Sequence, residues 1–296
     1  MGSIYVAGEL RNEHEASVNV LDHGLLYGDG IFEGIRAYNG RVFKLDRHLD
    51  RLFDCARAMR IVMPISREAL EQIILDTCRA NGIVDGYIRV VVTRGVGDLG
   101  IDPRSCSTPS IIVIARPTIA LYQNAARGVR VITSSFRRPS PDTLSPSIKS
   151  LNYVNNVMAR MEANDRDADE ALMLDVNGYV AEATADNVFI LTERGLVTPP
   201  TAVTLKGITR ETVLEICDEL GIRCDERPFT LFEVWTAREA FICGTGAEIV
   251  PVVSVDHRPI GSGGIGPITR RIVDAYARLV RSSGTPIAAP EAAAAK

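Results

Sequence analysis

"IFEGIRAYNGRVF", residues 31–43, has Asn39-Gly40 at its centre. Asn-Gly is the preferred chemistry of a two-residue hairpin turn, because both central positions need φ above zero. The stretch reads as two antiparallel strands. Directly after it the period changes: Leu49, Leu52, Phe53, Ala56 and Met59 recur at helical spacing. A second helix is predicted from Ser66, an N-cap residue, through Leu70, Ile73, Ile74 and Cys78 to Asn81-Gly82. Two β-rich runs follow, "YIRVVVT" (87–93) and "SIIVIA" (110–115), with a Gly/Pro-bearing loop between them. The order of elements predicts an α+β fold.

"RPTIALYQNAARG" (116–128) looks like the crossing to a second half. Strands resume from Val129 in "GVRVITSSF", followed by the Pro/Ser-rich "RRPSPDTLSPS" (137–147). "SLNYVNNVMARMEANDR" is predicted helical from the spacing of Leu151, Val154, Met158 and Met161. "EALMLDVNGYVAEATADNVFIL" (170–191) carries a second hairpin turn at Asn177-Gly178. "TRETVLEICDEL" (209–220) closes with Gly221, and a last helix covers 267–281. A chain of 296 residues suits two domains. The expected division is a small N-terminal α/β domain at 1–118, a linker at 119–128, a larger domain at 129–283 and a mobile, alanine-rich tail at 284–296.

Composition narrows the function. Net charge is −4 without a long run of like charge, which argues against a nucleic-acid partner. "MGSIYVAGEL" lacks a basic segment followed by an apolar one, so no secretory signal is expected. Gly2 invites a myristoylation reading, but position 6 is Val rather than Ser or Thr. No apolar run approaches the ~20 residues of a spanning helix. Cys55, Cys78, Cys106, Cys217, Cys224 and Cys243 form no CxxC and read as reduced core residues of a cytoplasmic protein. With four scattered histidines and no HExxH, no metal site is expected. "GVGDLG" (95–100) and "GSGGIG" (261–266) both fit GxGxxG. The first runs into a proline-bearing segment and the second has no room for a βαβ unit, so both read as loop glycines.

Lysine is scarce: apart from Lys149 there are only Lys44, Lys206 and Lys296, while arginine is used freely. An amine can form a Schiff base with a carbonyl, and a guanidinium cannot. Four residues after Lys149 stands Tyr153, whose phenol can hydrogen-bond an oxygen of whatever the lysine holds. Glu182 follows the second hairpin turn with few local cationic partners. "LKGITRETVL" places the backbone N–H groups of Ile208 and Thr209 at a helix start, a ready anion site. Gly244-Thr245-Gly246 make a turn able to bring further amides against an anion. Arg51, on the flank of the first helix's apolar stripe, can cap the same anion. Each feature alone also has a structural reading, as a solvated lysine, an exposed strand carboxylate or a surface ion pair.

Together they meet a family. "LDHGLLYGDGIFEGIRAYNG", "HLDRL", "YIR", "IKSLNYVNN", "DEALMLDVNGYVAEATADNVF", "TPP…KGITRETV" and "CGTGAEIVPV" stand in the order and spacing of the class IV pyridoxal-phosphate aminotransferases. Over about residues 3–282 the chain most resembles the branched-chain amino-acid aminotransferases. The resemblance implies fold type IV, the D-amino-acid aminotransferase-like fold: two α/β domains with pyridoxal 5'-phosphate at their interface, working as a homodimer or higher oligomer. It makes Lys149 the Schiff-base lysine and Glu182 the partner of the pyridine nitrogen. Tyr153 comes near the cofactor's O3′. Arg51, Gly207, Ile208, Thr209, Gly244 and Thr245 form the phosphate cup, and Asn187 is the Asn five residues after the Glu. Two endings depart from the family: "ATADN" stands for the commoner Gly-Glu-Asn, and "GTGAE" for Gly-Thr-Ala-Ala-Glu.

For substrate, the resemblance implies transfer between leucine, isoleucine or valine and 2-oxoglutarate, as in branched-chain amino-acid biosynthesis. Tyr27, Phe32, Tyr153 and Ala247 match the apolar wall. Tyr87 with the Thr245 and Gly246 amides matches the α-carboxylate site, and Arg89 meets glutamate's distal carboxylate. Leu99 and Ile101 lie where the family sends a loop from the neighbouring subunit, and Tyr122 joins from the interdomain segment. The alternatives on the same fold are a D-amino-acid or (R)-amine aminotransferase and an aminodeoxychorismate-type lyase. The loop "GVGDLGIDP" lacks the Arg-x-His pair typical of the D-amino-acid branch.

Overall fold

The chain opens with two strands, β1 (Ser3–Val6) and β2 (Glu9–Asn12), and a short helix, α1 (His23–Tyr27). The hairpin read from Asn39-Gly40 follows, as β3 (Gly30–Tyr38) turning into β4 (Arg41–Val42). Asn39 and Gly40 have φ of 50° and 71°, the left-handed values such a turn requires. Next come α2 (Leu45–Ala58) and α3 (Arg67–Ala80), with Ser66 capping α3 by accepting from Ala69 N at 3.2 Å. β5 (Gly86–Thr93) and β6 (Ser110–Pro117) complete an antiparallel sheet in the order Thr285–Pro286, β4, β3, β5, β6, β1, β2. Its core holds Ile31, Ile35, Leu49, Leu52, Leu70, Ile74 and Ile88, all but fully buried.

The structure, a computed structural model, describes residues 2–117, 122 and 127–288. The elements above belong to a first unit, Met1–Ile119, Lys149–Asn152 and Val280–Lys296; Ala120–Ile148 and Tyr153–Leu279 form a second. The linker expected at 119–128 falls largely outside the described residues. Two short segments cross the division read from the sequence. Lys149–Asn152 joins the first unit because it lies along β3. Thr285–Pro286, placed by the sequence in a mobile tail, pairs with β4, and Ile287 is buried at 5% exposure. Residues 289–296 of that tail lie outside the described residues.

The second unit contains β7 (Val129–Arg137), α4 (Val154–Asp165), β8 (Glu170–Leu174), β9 (Val180–Ala183), β10 (Asn187–Thr192), β11 (Gly195–Thr198), α5 (Ile208–Leu220), β12 (Cys224–Glu226), α6 (Leu231–Trp235), β13 (Glu239–Gly244), β14 (Glu248–Val255), β15 (Arg258–Pro259) and most of α7 (Pro267–Ser282). Its sheet runs β12, β11, β10, β13, β14, β7, β8, β9, with β15 on β14. The turn at Asn177-Gly178 joins β8 to β9, and Asp175 Oδ1 accepts from Asn177 N and Tyr179 N at 2.9 Å. One apolar cluster includes Val131, Leu172, Val188, Ile242 and Val250; α4 packs Ala159 and Ala163 against Ile132, Ala171 and Met173 in another.

The helix predicted from Leu151 begins instead at Val154. Its apolar positions Val154, Val157 and Met161 are 74%, 52% and 52% exposed, and its buried face is Asn156, Ala159 and Ala163. Four cysteines are buried, while Cys106 and Cys224 are half-buried. Among the described residues no helix is long and apolar enough to cross a membrane, and no group of His, Cys, Asp and Glu is arranged to hold a metal ion.

Candidate active site

In the first unit the site grows from a gap in the sheet. β3 pairs with β4 only at Ala37 and Tyr38, so the other end of β3 has an open edge on that side. Lys149–Leu151 fills it: Phe32 N donates to Lys149 O at 3.0 Å, Leu151 N donates to Gly30 O at 2.9 Å, and Ser150 bridges Ile31. Lys149 N also donates to Cys55 Sγ of α2 at 3.4 Å. The lysine backbone is thus held by a strand and a helix, which a solvated loop lysine would not be. Its Nζ lies 4.2 Å from the centroid of the Phe32 ring, and Arg89 Cζ lies 4.5 Å from the same centroid. Arg89 Nη2 donates to Tyr87 Oη at 3.0 Å. Side chains alternate along a strand, and Gly34 pairs with Arg89 and Arg36 with Tyr87, so Phe32, Tyr87 and Arg89 share one sheet face. Gly34 makes room for the tyrosine: a Cβ there would come within 2.1 Å of Tyr87 Oη.

The next residue, Glu33, turns to the other face, where it meets α2. Its Oε1 accepts from Arg51 Nε at 2.7 Å, and its Oε2 from Arg51 Nη2 at 2.8 Å and His48 Nδ1 at 2.7 Å. Glu33 and His48 are each 1% exposed. Burial alone would raise the Glu33 carboxyl; the positive charges of Arg51 and His48 and the hydrogen bonds from both outweigh it and hold the group at about 2. Burial pushes His48 below the usual imidazole range against the pull of Glu33. The arrangement fixes the plane of the Arg51 guanidinium. The sequence reading picked out Arg51 but missed Glu33 and His48; "FEG" and the histidine at i−3 of Arg51 were the available signals.

In the second unit Glu182, on β9, is 5% exposed. Its Oε2 accepts from Asn187 Nδ2 at 3.2 Å and Leu205 N at 3.0 Å. Its Oε1 pairs with Arg138 Nη2 at 2.8 Å, and Arg138 Nη1 donates to Asn156 Oδ1 at 3.0 Å. Arg138 is the second omission: it sits in the Pro/Ser-rich stretch that reads only as loop. Gly207 is tight against Asn187, whose Oδ1 would lie 2.0 Å from a Cβ. α5 starts there at Ile208 with no side-chain cap, and Ile208 and Thr209 are buried at 4% and 3% exposure. The first N–H groups of a helix have no partner within it. Asn187 faces Cys243 across β10 and β13, which places the Gly244-Thr245-Gly246 turn beside the Asp186-Asn187 pair. The left-handed residue of that turn is Glu248 (φ 64°), not Gly246. Ala247 packs half-buried on the apolar core, and Tyr153 stands at the N-cap of α4.

Lys149, Phe32, Tyr87 and Arg89 therefore come together in one unit, with Arg51 held by Phe32's neighbour. Glu182, Asn187, Gly207, Ile208 and the 244–246 turn come together in the other. Tyr27, Leu99 and Ile101 make a further, exposed group, in which Tyr27 Oη donates to Leu99 O. Tyr122 Oη is engaged by Glu170 and Asp186.

The family described as "Amino-transferase class IV" matches residues 30–255. The chain belongs to the class IV aminotransferases. A Methanocaldococcus jannaschii relative is 49% identical over 274 residues, covering 92% of this chain and 94% of its own. The branched-chain-amino-acid aminotransferase of Pseudomonas aeruginosa is 38% identical over 287 residues, covering 94% and 93%. Among solved structures, the branched-chain amino acid aminotransferase of Thermobaculum terrenum in its PLP-form superposes with a TM-score of 0.86 at 31% identity, covering 97% of this chain and 98% of that one. This class IV aminotransferase thus has the fold expected from its motifs.

Proposed function

We propose that this class IV aminotransferase uses pyridoxal 5'-phosphate to move an amino group from leucine, isoleucine or valine to 2-oxoglutarate, giving the branched-chain 2-oxo acid and L-glutamate. The observation that carries the substrate reading is the Phe32 ring, which has Lys149 Nζ at 4.2 Å and Arg89 Cζ at 4.5 Å from its centroid. An aromatic wall beside a reactive amine suits an aliphatic side chain. A guanidinium on the same wall suits the second carboxylate that glutamate brings to the same pocket.

The donor set fits the cofactor. A phosphate needs N–H groups, which the uncapped start of α5 and the Gly244-Thr245 turn offer in the second unit, and a fixed guanidinium, which Arg51 offers in the first. A pyridine nitrogen that is to keep its proton needs a buried anion, and Glu182 is one, oriented by Asn187, Leu205 N and Arg138. Tyr153 offers its phenol to the ring's O3′. When bound, the cofactor supplies a carbonyl to take the amino group and a ring that withdraws electrons from the substrate's Cα. The remaining work belongs to the chain. Lys149 Nζ takes the Cα proton and later returns it. Glu182 favours positive charge at the ring nitrogen. Tyr87 and the Thr245 and Gly246 amides orient the α-carboxylate, and Arg89 accepts a distal carboxylate only when the substrate has one.

The reading includes a homodimer or higher homo-oligomer in the cytoplasm. Val20, Leu25, Leu99 and Ile101 are 71%, 64%, 73% and 82% exposed, apolar surface that a second copy of the chain would cover. All six cysteines are free thiols, which suits a reducing compartment. Sedimentation that finds only monomer at assay concentration would remove this part.

A donor screen tests the activity: both enantiomers of leucine, glutamate, alanine and 1-phenylethylamine, with 2-oxoglutarate as acceptor. L-leucine should be among the best donors. Faster turnover of D-alanine or (R)-1-phenylethylamine would reassign the enzyme to the D-amino-acid or (R)-amine branch. Elimination without amino transfer would reassign it to the lyases. Borohydride reduction of the loaded protein should fix the cofactor to Lys149, and a peptide map placing it on Lys44 or Lys206 would end the assignment.

A further inference from the structure

The segment "GVGDLG" (95–100), which the sequence marks only as loop glycines, is tied residue by residue to α1 and the stretch before it. Gly95 O accepts from His23 N at 2.9 Å, Val96 bridges Asp22, and Gly97 N donates to Leu21 O at 3.2 Å. Asp98 O lies 2.8 Å from His23 Nε2, and Leu99 O accepts from Tyr27 Oη. Two successive carbonyls are thus held by two side chains of α1 that stand one turn apart. Gly97 lets the segment lie against the imidazole: a Cβ there would come within 2.8 Å of His23 Nε2 and 2.6 Å of Cys106 Sγ. The flanks are fastened too. Asp98 N donates to Ser105 Oγ at 3.1 Å, and Arg94 grips Asp29 through Nε at 2.9 Å and Nη2 at 3.0 Å.

A carbonyl oxygen has no proton to give, so the hydrogen between Asp98 O and the ring belongs to His23 Nε2. The ring is 1% exposed and meets the Tyr27 ring edge-on, with centroids 5.0 Å apart and planes at 83°. Asp22, equally buried, fixes the start of α1. It accepts from Gly24 N at 2.7 Å, Thr93 Oγ1 at 2.8 Å and Ser110 Oγ at 3.0 Å. What the imidazole holds, by contrast, leads out into water: Leu99 and Ile101 are 73% and 82% exposed. Fixing an exposed apolar loop adds little to the core, so the bond matters for where it puts that loop. We infer that His23 is a positioning residue for the substrate's side chain: as an Nε2–H donor it holds the Asp98 carbonyl, and with Tyr27 it sets the Leu99–Ile101 segment against which that side chain packs. The second half rests on the reading of Tyr27, Leu99 and Ile101 as part of the substrate pocket. His23 acts only through the segment it holds.

Nitrogen-15 NMR of the loaded protein, labelled only at its four histidines, tests the first half. His23→Gln identifies the His23 signals by removing them. Nε2 should carry a proton at pH 8; an unprotonated Nε2, or a proton shared between the two nitrogens, overturns the inference whatever reaction the enzyme performs. Hydrogen exchange gives a second readout. His23→Leu keeps an apolar body but has no donor, and peptides covering 95–101 should exchange roughly tenfold faster than in wild type. His23→Gln, whose amide can donate to the same carbonyl, should stay within about threefold of wild type. Equal exchange in all three proteins would mean that the ring does not hold the segment. Single turnover with L-leucine tests the second half. His23→Leu should raise the half-saturating leucine concentration roughly three- to tenfold, the size of one neutral hydrogen bond, and change the saturated rate less than about twofold. His23→Gln should recover most of the loss. An unchanged half-saturation, a saturated rate that falls as far, or a Gln variant no better than Leu would sink the role in positioning. Should His23→Leu not fold, His23→Asn, whose shorter amide falls short of the carbonyl, takes its place in both measurements. Absence of transfer from leucine in wild type would instead sink the substrate reading and leave the NMR and exchange results standing.

Discussion

Glu33 takes Arg51 by two edges, Oε1 to Nε at 2.7 Å and Oε2 to Nη2 at 2.8 Å, with His48 Nδ1 donating to the same Oε2 at 2.7 Å. A carboxylate held at about 2 when buried contributes stability that is present above its unfolded pKa and lost as pH falls through the folded one. From an unfolded value of ~4.3, the shift corresponds to about 3 kcal/mol. Glu33→Gln should lower stability by about 3–5 kcal/mol at pH 7, because it removes the buried carboxylate that Arg51 and His48 hold. The gap to wild type should narrow between pH ~4 and 2. Denaturant midpoints across that range check it; a gap that does not move with pH would mean the charge of Glu33 is not what stabilises the site.

Arg138 should matter through Glu182, which it meets at 2.8 Å. Arg138→Leu leaves Glu182 Oε1 without its cation and makes the carboxylate easier to protonate. The single-turnover half-reaction should slow roughly ten- to a hundredfold at pH 7, consistent with losing a charge-assisted bond of about 1.5–3 kcal/mol. The loss should deepen as pH falls, while cofactor affinity changes less. Arg138→Lys should recover part of the rate. A pH-independent loss with weakened cofactor binding would make Arg138 a packing residue only.

Much of the fold was legible in the sequence. Asn39-Gly40 and Asn177-Gly178 are local turn signals, since the two residues carry their own backbone preference. Ser66 and Gly221 mark helix ends for the same reason. What needed the fold were pairings across distance. Glu33, His48 and Arg51 meet only because β3 runs under α2, and Arg138 meets Glu182 only once β7 leads into its loop. Periodicity found α4 but not its buried side. The apolar residues Val154, Val157 and Met161 are exposed while Ala159 and Ala163 pack on the sheet. A stripe says which side is apolar, not what covers it. The alanine-rich composition that marks the tail gave no sign that its first residues join the sheet, where Thr285–Pro286 pairs with β4 and Ile287 is buried.

Two glycines should separate the functions of the two units. A Cβ at position 34 would lie 2.1 Å from Tyr87 Oη, and one at 207 would lie 2.0 Å from Asn187 Oδ1. Gly34→Ala should displace the Tyr87 phenol from Arg89 and raise substrate KM with little effect on cofactor affinity. Gly207→Ala should disturb Asn187, Glu182 and the start of α5, and weaken cofactor binding first. Overpacking of this kind costs about 1–3 kcal/mol, so both proteins should still fold. Cofactor titration beside steady-state kinetics distinguishes them, and the opposite pattern would exchange the roles assigned to the two clusters.

The last expectation concerns Arg89, whose Cζ lies 4.5 Å from the Phe32 ring centroid and whose Nη2 donates to Tyr87. If Arg89 meets the distal carboxylate of glutamate, Arg89→Leu should affect the two half-reactions unequally. A charge-assisted hydrogen bond contributes about 1.5–3 kcal/mol, and each 1.4 kcal/mol is a factor of ten. Glutamate and 2-oxoglutarate should therefore lose roughly ten- to a hundredfold in kcat/KM. Leucine has no charge to place there and should lose only what a less firmly held Tyr87 costs its α-carboxylate, about threefold or less. The comparison is internal, because misfolding or cofactor loss would depress both substrates together. Equal losses in a folded, cofactor-loaded variant would make Arg89 a support for Tyr87 and nothing more. A selective loss for leucine would mean that the pocket is turned the other way, and the D-amino-acid reading would then take first place.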